Sequence, residues 1–125
     1  MFGKSLGTAV AAELAAAGEV AGLVLESPFC DLPSVGQTHY RFLPVSLLIK
    51  EKYNTLLRIQ EINCPLLVIV ETKDCIVPPE QSRNVFGRAK APKNMFELKD
   101  AGHTDIQAVG GQSYWNTLRE WLAGL

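Results

Sequence analysis

The stretch Met1-Phe2-Gly3-Lys4-Ser5-Leu6-Gly7 runs directly into an alanine-rich segment that ends at Ala17. Within it, Gly3-Lys4-Ser5-Leu6-Gly7 has the spacing G-x-S-x-G. In a strand–turn–helix elbow this spacing has a physical reason. The central serine takes a strained backbone so that its hydroxyl stands at the helix N-terminus, and flanking residues without bulk let strand and helix pass closely. The N–H of the following residue, Leu6, then faces the place where an oxyanion would form, with the helix dipole adding to the field. The same residues also suit a plain helix start with Ser5 as the N-cap. What lies downstream has to decide between the two readings.

From Ser5 to Ala17 the propensity is strongly helical and the small side chains suit close packing against a sheet, with Gly18 as the expected C-cap. Val20 to Glu26 is a short, almost continuous apolar run, as in a strand buried on both faces, and Ser27-Pro28 ends it. Residues 29–62 change character: prolines and scattered aromatics punctuate them. Short helices are expected over 44–53 and 55–62, the second carrying Leu56, Ile59 and Ile62 on one stripe. This stretch reads as a small lid insertion within one domain spanning 1–125, being too short for a core of its own. Leu66 to Val70 is the next buried strand, and Glu71-Thr72-Lys73-Asp74-Cys75 is a polar loop at its end. A helix over 79–89 opens on Pro78-Pro79. Lys93 to Leu98 reads as a strand, Lys99 to Asp105 as a loop, and 112–122 as a helix with Trp115, Leu118, Trp121 and Leu122 at helical spacing. Alternation of this kind predicts an α/β fold with a parallel sheet and right-handed crossovers.

Composition narrows the function classes. With 125 residues, 47% hydrophobic, 20% charged and a net charge of -1, the chain has an ordinary globular make-up. That balance gives no electrostatic footprint for nucleic acid or an anionic membrane. Cys30, Cys64 and Cys75 form no C-x-x-C pair, so free thiols are expected rather than a disulfide framework or a zinc site. No apolar run reaches the ~18 residues of a membrane span, and no basic-then-apolar leader is present, so a cytoplasmic location is the expectation.

Open α/β sheets place their chemistry in loops beyond the strand C-termini. Three such loops carry Ser5, Asp74 and His103, a nucleophile, an acid and a base in that order. A serine hydroxyl is a poor nucleophile until a neutral imidazole takes its proton. The imidazole in turn needs a carboxylate to hold its tautomer and stabilise the imidazolium. Each residue has a plainer reading as well: Asp74 as a helix-initiating turn residue, His103 as a surface-loop histidine. Glu71 and Asp100 are rival acids, and His39, in the insertion, is read as a solvated or lid residue. Asp105 is either an orienting group for the histidine loop or a solvated side chain. Cys75 reads as an ordinary thiol, and Trp115 and Trp121 as core.

Taken together, Gly3-Lys4-Ser5-Leu6-Gly7, Thr72-Lys73-Asp74-Cys75-Ile76-Val77-Pro78 and Ala101-Gly102-His103-Thr104-Asp105 resemble the α/β-hydrolase superfamily. They are most similar to its small-lid esterases and depalmitoylases. The resemblance implies that Ser5 is the nucleophile, Asp74 the acid and His103 the base, with the Leu6 N–H as an oxyanion donor. The implied activity is hydrolysis of carboxylic esters or thioesters through an acyl-enzyme, with no cofactor or metal. Phe29, Tyr40, Phe42 and Leu43 are candidates for an acyl pocket under the lid, or for lid core.

The resemblance covers the C-terminal portion of such a sheet, about three strands plus a stub before the elbow. The Val20–Glu26 strand is then expected to present an apolar edge, and the Ser5–Ala17 helix to lack part of its cover. Two alternatives follow: a catalytically inactive hydrolase fragment or interaction module, with a homo-oligomer completing the sheet, and a non-hydrolytic member of the fold that only binds a ligand.

Overall fold

A computed structural model of the chain describes residues 1–48, 50 and 53–125. The elements run β1 (Phe2–Lys4), α1 (Leu6–Ala17), β2 (Leu23–Glu26), α2 (Leu32–His39), α3 (Val45–Leu48), α4 (Thr55–Arg58), β3 (Leu66–Glu71), α5 (Pro79–Arg88), β4 (Lys93–Leu98) and α6 (Ile106–Ala123). The four strands form one sheet in the order β1-β2-β3-β4, and every neighbouring pair is parallel. Consecutive parallel strands need crossovers, and the helical segments between them supply these.

The apolar runs alternate between the two faces of the sheet. Leu23, Leu25, Leu66, Val68 and Val70 pack with Ala11, Ala12 and Ala15 of α1, Ile59 and Ile62, and Val85 of α5. Val24, Leu67 and Ile69 point the other way, into a cluster with Leu98, Ile106 and Tyr114. Both faces are therefore covered, which is why β2 and β3 read as continuous apolar runs and not as alternating ones. Burying each such Leu, Val or Ile contributes roughly 1.5–3 kcal/mol of transfer free energy.

The expected three strands and the stub before the elbow are all present, the stub as a short paired strand with Phe2, Gly3 and Lys4 opposite Val24, Leu25 and Glu26. Other expectations need correction. The same pairing covers β2, so the apolar edge expected at Val20–Glu26 does not exist; β1 and β4 are the edges. The strand in that run is confined to Leu23–Glu26. Gly18 is the C-cap of α1, as expected, in an extended conformation (φ -144°, ψ 174°). Helix α2 was not foreseen, because Pro33 and Gly36 read as punctuation. Pro33 sits in the first helical turn, where its missing N–H costs nothing, and Asp31 caps the helix by accepting the Ser34 N–H at 2.7 Å. Of the helix expected over 44–53, α3 occupies Val45–Leu48, and residues 49, 51 and 52 lie outside the described residues. α4 ends at Arg58, short of the expected 62. The last helix starts six residues early, at Ile106, and is broken at Gly111 (φ 48°, ψ -133°), a conformation open to glycine. No helix among the described residues is long and apolar enough to cross a membrane.

Candidate active site

Ser5 sits between β1 and α1 with φ 50° and ψ -121°. A positive φ at a non-glycine residue costs on the order of 1–3 kcal/mol and persists only where the surroundings over-determine it. Here the constraints are visible. The Ser5 N–H donates to the Glu26 carbonyl at 2.9 Å, and the Ser5 carbonyl accepts the Thr8 N–H at 2.9 Å. Gly3 makes the close approach of strand and helix feasible: a Cβ there would lie 2.7 Å from the Gly7 carbonyl oxygen and 2.8 Å from Ala11 Cβ. Gly7 has no such reason, since a Cβ there would meet nothing within 4 Å. The Ser5 side chain makes no capping bond to α1, so the plain N-cap reading is not the one the structure adopts.

The Ser5 hydroxyl instead donates to His103 Nε2 at 2.9 Å. On the far side of the ring, His103 Nδ1 lies 2.6 Å from Asp74 Oδ2. A carboxylate only accepts, so Nδ1 carries the proton and Nε2 is free to accept from the hydroxyl. The other carboxylate oxygen, Asp74 Oδ1, accepts the N–H groups of Ile76 and Val77, each at 2.8 Å. Asp74 is buried, with 1% of its side chain exposed, and His103 retains 13%. Three strand-end loops thus bring Ser5, His103 and Asp74, far apart in sequence, into one line of hydrogen bonds. Leu6, the first residue of α1, has no carbonyl four residues back within its helix, so its N–H remains available beside Ser5.

The rival acids are placed elsewhere. Asp100 is exposed, has φ 67° and pairs with Lys73 Nζ at 2.7 Å. Glu71 is buried and accepts the Ser27 hydroxyl at 2.8 Å. His39, read as a solvated or lid residue, is exposed at the end of α2, and its Nε2–H donates to the Ile76 carbonyl at 2.8 Å, tethering the insertion to the acid loop. Asp105 is exposed, and its Oδ1 accepts the Gly102 N–H at 2.6 Å.

The proposed pocket residues do not converge. Phe29 is buried in a small cluster with Ala9 and Val77, whereas Tyr40, Phe42 and Leu43 are exposed. A groove of about 440 Å³ lies between α1 and the 53–58 segment, lined in part by Val10, Leu14, Tyr53 and Leu57 and by none of those four residues. Trp121 packs against the core, but Trp115 is half exposed; its ring meets Tyr114 edge-on at 5.0 Å. Among the described residues, no three His, Cys, Asp or Glu side chains converge as a metal-binding set.

Sequence reasoning missed the layer beneath the line of hydrogen bonds. Glu26, Ser27, Glu71 and Tyr114 are all buried there. The available signal was an acid closing each of two apolar strands, in Val24-Leu25-Glu26 and Val68-Ile69-Val70-Glu71.

A parallel sheet with helices on both faces and a strained serine between strand and helix match what the resemblance to the α/β-hydrolases implies. Comparison with known proteins agrees. An uncharacterized protein of Mycobacterium tuberculosis is 38% identical over 121 residues, covering 97% of this chain and 43% of its own length. The alpha/beta hydrolase domain-containing protein WAV2 of Arabidopsis thaliana is 28% identical over 140 residues, covering 98% of this chain and 46% of its own. The solved structure of the Pyrococcus furiosus esterase Pf2001 matches with a TM-score of 0.75 at 25% identity, over 98% of this chain and 51% of that one. No family model matches the chain. The chain has the fold of the α/β-hydrolase superfamily and is similar to its members, and it spans less than half the length of these curated relatives.

Proposed function

We propose that this chain carries the nucleophile, base and acid of a serine hydrolase acting on carboxylic esters or thioesters. The observation that carries the reading is the Ser5–His103–Asp74 line, with links of 2.9 and 2.6 Å and the serine held at positive φ. Ser5 Oγ attacks the carbonyl carbon while its proton passes to His103 Nε2. Asp74 stabilises the imidazolium that forms, and the Leu6 N–H faces the developing oxyanion. The imidazolium then gives its proton to the departing alcohol or thiol, leaving an acyl-serine. Water, deprotonated by the same imidazole, releases the acid and restores Ser5.

The test is covalent labelling of the purified chain by a fluorophosphonate probe beside Ser5→Ala. Labelling of the wild type that disappears in the variant is the expected result. A folded chain that stays unlabelled, or equal labelling of both proteins, refutes the reading.

A second reading concerns assembly and is favoured by the exposure of Leu6, Val10 and Leu14 on α1, together with the open edge of β1. In it, a second copy of the chain covers this face, and the protein acts as an interaction module whether or not it turns over a substrate. Light scattering that returns a dimer or larger species is the expected outcome; a cooperatively folding monomer at high concentration counts against it.

A further inference from the structure

Two glutamates close the buried strands β2 and β3, and each is only 1% exposed. Their backbone carbonyls hold the two ends of the candidate site. The Glu26 carbonyl accepts the N–H of Ser5 at 2.9 Å, and the Glu71 carbonyl accepts the N–H of Asp74 at 3.3 Å. Their carboxyls are tied to other elements. The Tyr114 hydroxyl of α6 donates to Glu26 Oε2 at 2.7 Å, and Lys4 Nζ of β1 lies 2.7 Å from Oε1. Ser27, the residue after β2, donates its hydroxyl to Glu71 Oε1 at 2.8 Å. Ser27 has φ 51°, a second strained non-glycine residue next to the elbow's anchor, and its N–H donates to the Ile69 carbonyl at 3.1 Å. The Ser27–Glu71 bond therefore stitches the strand that anchors the nucleophile to the strand from which the acid loop departs.

We propose that Glu71 is a positioning residue for the Ser5–His103–Asp74 site. Through its carboxyl it grips Ser27, through its carbonyl it grips Asp74, and together these links set the acid loop relative to the elbow. The inference rests on the serine-hydrolase reading above and adds to it a residue that touches neither substrate nor the reacting atoms.

Glu71 also carries a charge that changes where such a site operates. Burial pushes its carboxyl up to about 7, the Ser27 hydrogen bond opposes this, and the charges of Glu26 and Asp74 reinforce it. The groups facing it are Glu26 of β2, Ser27 just after it, Tyr114 from α6, and Asp74 from the acid loop; Lys4 of β1 reaches it by way of Glu26. Once ionised, Glu71 adds a second negative charge behind Asp74. That charge favours the imidazolium formed when Ser5 loses its proton, so the site gains reactivity as pH rises through the Glu71 transition.

The experiment is the second-order rate of fluorophosphonate labelling from pH 5.5 to 9 for wild type, Glu71→Gln and Ser27→Ala. Glu71→Gln keeps shape and acceptor but cannot ionise. It is expected to label within about twofold of wild type at pH 6 and about three- to tenfold more slowly at pH 8, the effect of half to one unit of electrostatic perturbation. Ser27→Ala, which loses the stitch and with it the hydrogen bond that opposes the upward shift of Glu71, is expected to label about tenfold more slowly, with the rise in its profile moved to higher pH. A labelled wild type with an identical Glu71→Gln profile and an unaffected Ser27→Ala overturns the role of Glu71 alone. A folded wild type that is not labelled at all overturns the hydrolase reading and this inference with it.

Discussion

Replacing Glu71 by Gln is expected to make the protein more stable, and more so as the pH rises. The Glu71 carboxyl is raised from 4.5 to about 7 because burial opposes its charge. Below the unfolded-state value both states hold the proton and the residue contributes no pH dependence. Between 4.5 and 7 the unfolded chain has released its proton while the folded one retains it. The unfolded state then binds fewer protons, so stability falls as pH rises, and the full penalty is reached above the folded-state value. At about 1.4 kcal/mol per pH unit, the penalty above neutrality is on the order of 3 kcal/mol, of which roughly 2–3 kcal/mol develops between pH 5 and 8. Urea unfolding of wild type and Glu71→Gln at pH 5 and pH 8 reads this directly. The difference between the two proteins should shift in favour of the variant by that amount, or by roughly 3–6 °C per kcal/mol in thermal midpoint for a chain of this size. A difference that is the same at both pH values refutes the reasoning: it would mean that Glu71 is solvated or pairs with a cation in solution.

Other substitutions test the scaffold and the line of hydrogen bonds. Gly3→Ala drives a Cβ to within 2.9 Å of backbone atoms at Gly7 and Thr8, so a loss of about 1–3 kcal/mol is expected in denaturant unfolding. Gly7→Ala, at a position with open space, should change stability by less than about 1 kcal/mol by the same measurement. Tyr114→Phe removes the donor to buried Glu26 Oε2 and should cost about 1–3 kcal/mol. Asp74→Asn keeps the size of the side chain but lets an amide face His103 Nδ1, which favours the wrong tautomer; fluorophosphonate labelling at neutral pH should slow by about a thousandfold or more.

Much of the architecture is legible in the sequence because it depends on local pattern. The apolar runs at 23–26 and 66–71 announce strands covered on both faces, and the alanine-rich run after Ser5 announces a helix pressed against them. The ordered spacing of Ser5, Asp74 and His103 at strand ends is legible for the same reason, since parallel sheets with short crossovers bring strand C-termini to one edge. The insertion is less legible. Pro33 opens a helix instead of breaking one, and that depends on Asp31 being placed to cap it.

The sequence marks the buried layer under the elbow only by the acid that closes each of two apolar strands. Glu71 reads there as a rival acid, Glu26 as the polar end of an apolar run, and Tyr114 as a neighbour of the tryptophans. Only the parallel pairing of β1, β2 and β3, with α6 folded across one face, brings Lys4, Glu26, Ser27, Glu71 and Tyr114 together. Their placement is fixed by contacts between residues distant in the chain and by the exclusion of water around them. What the sequence alone determined is which residues could do chemistry and where along each strand they stand. What only the tertiary structure decided is which neighbours those residues share, and so which carboxyl faces the histidine and which one is left buried beside a serine.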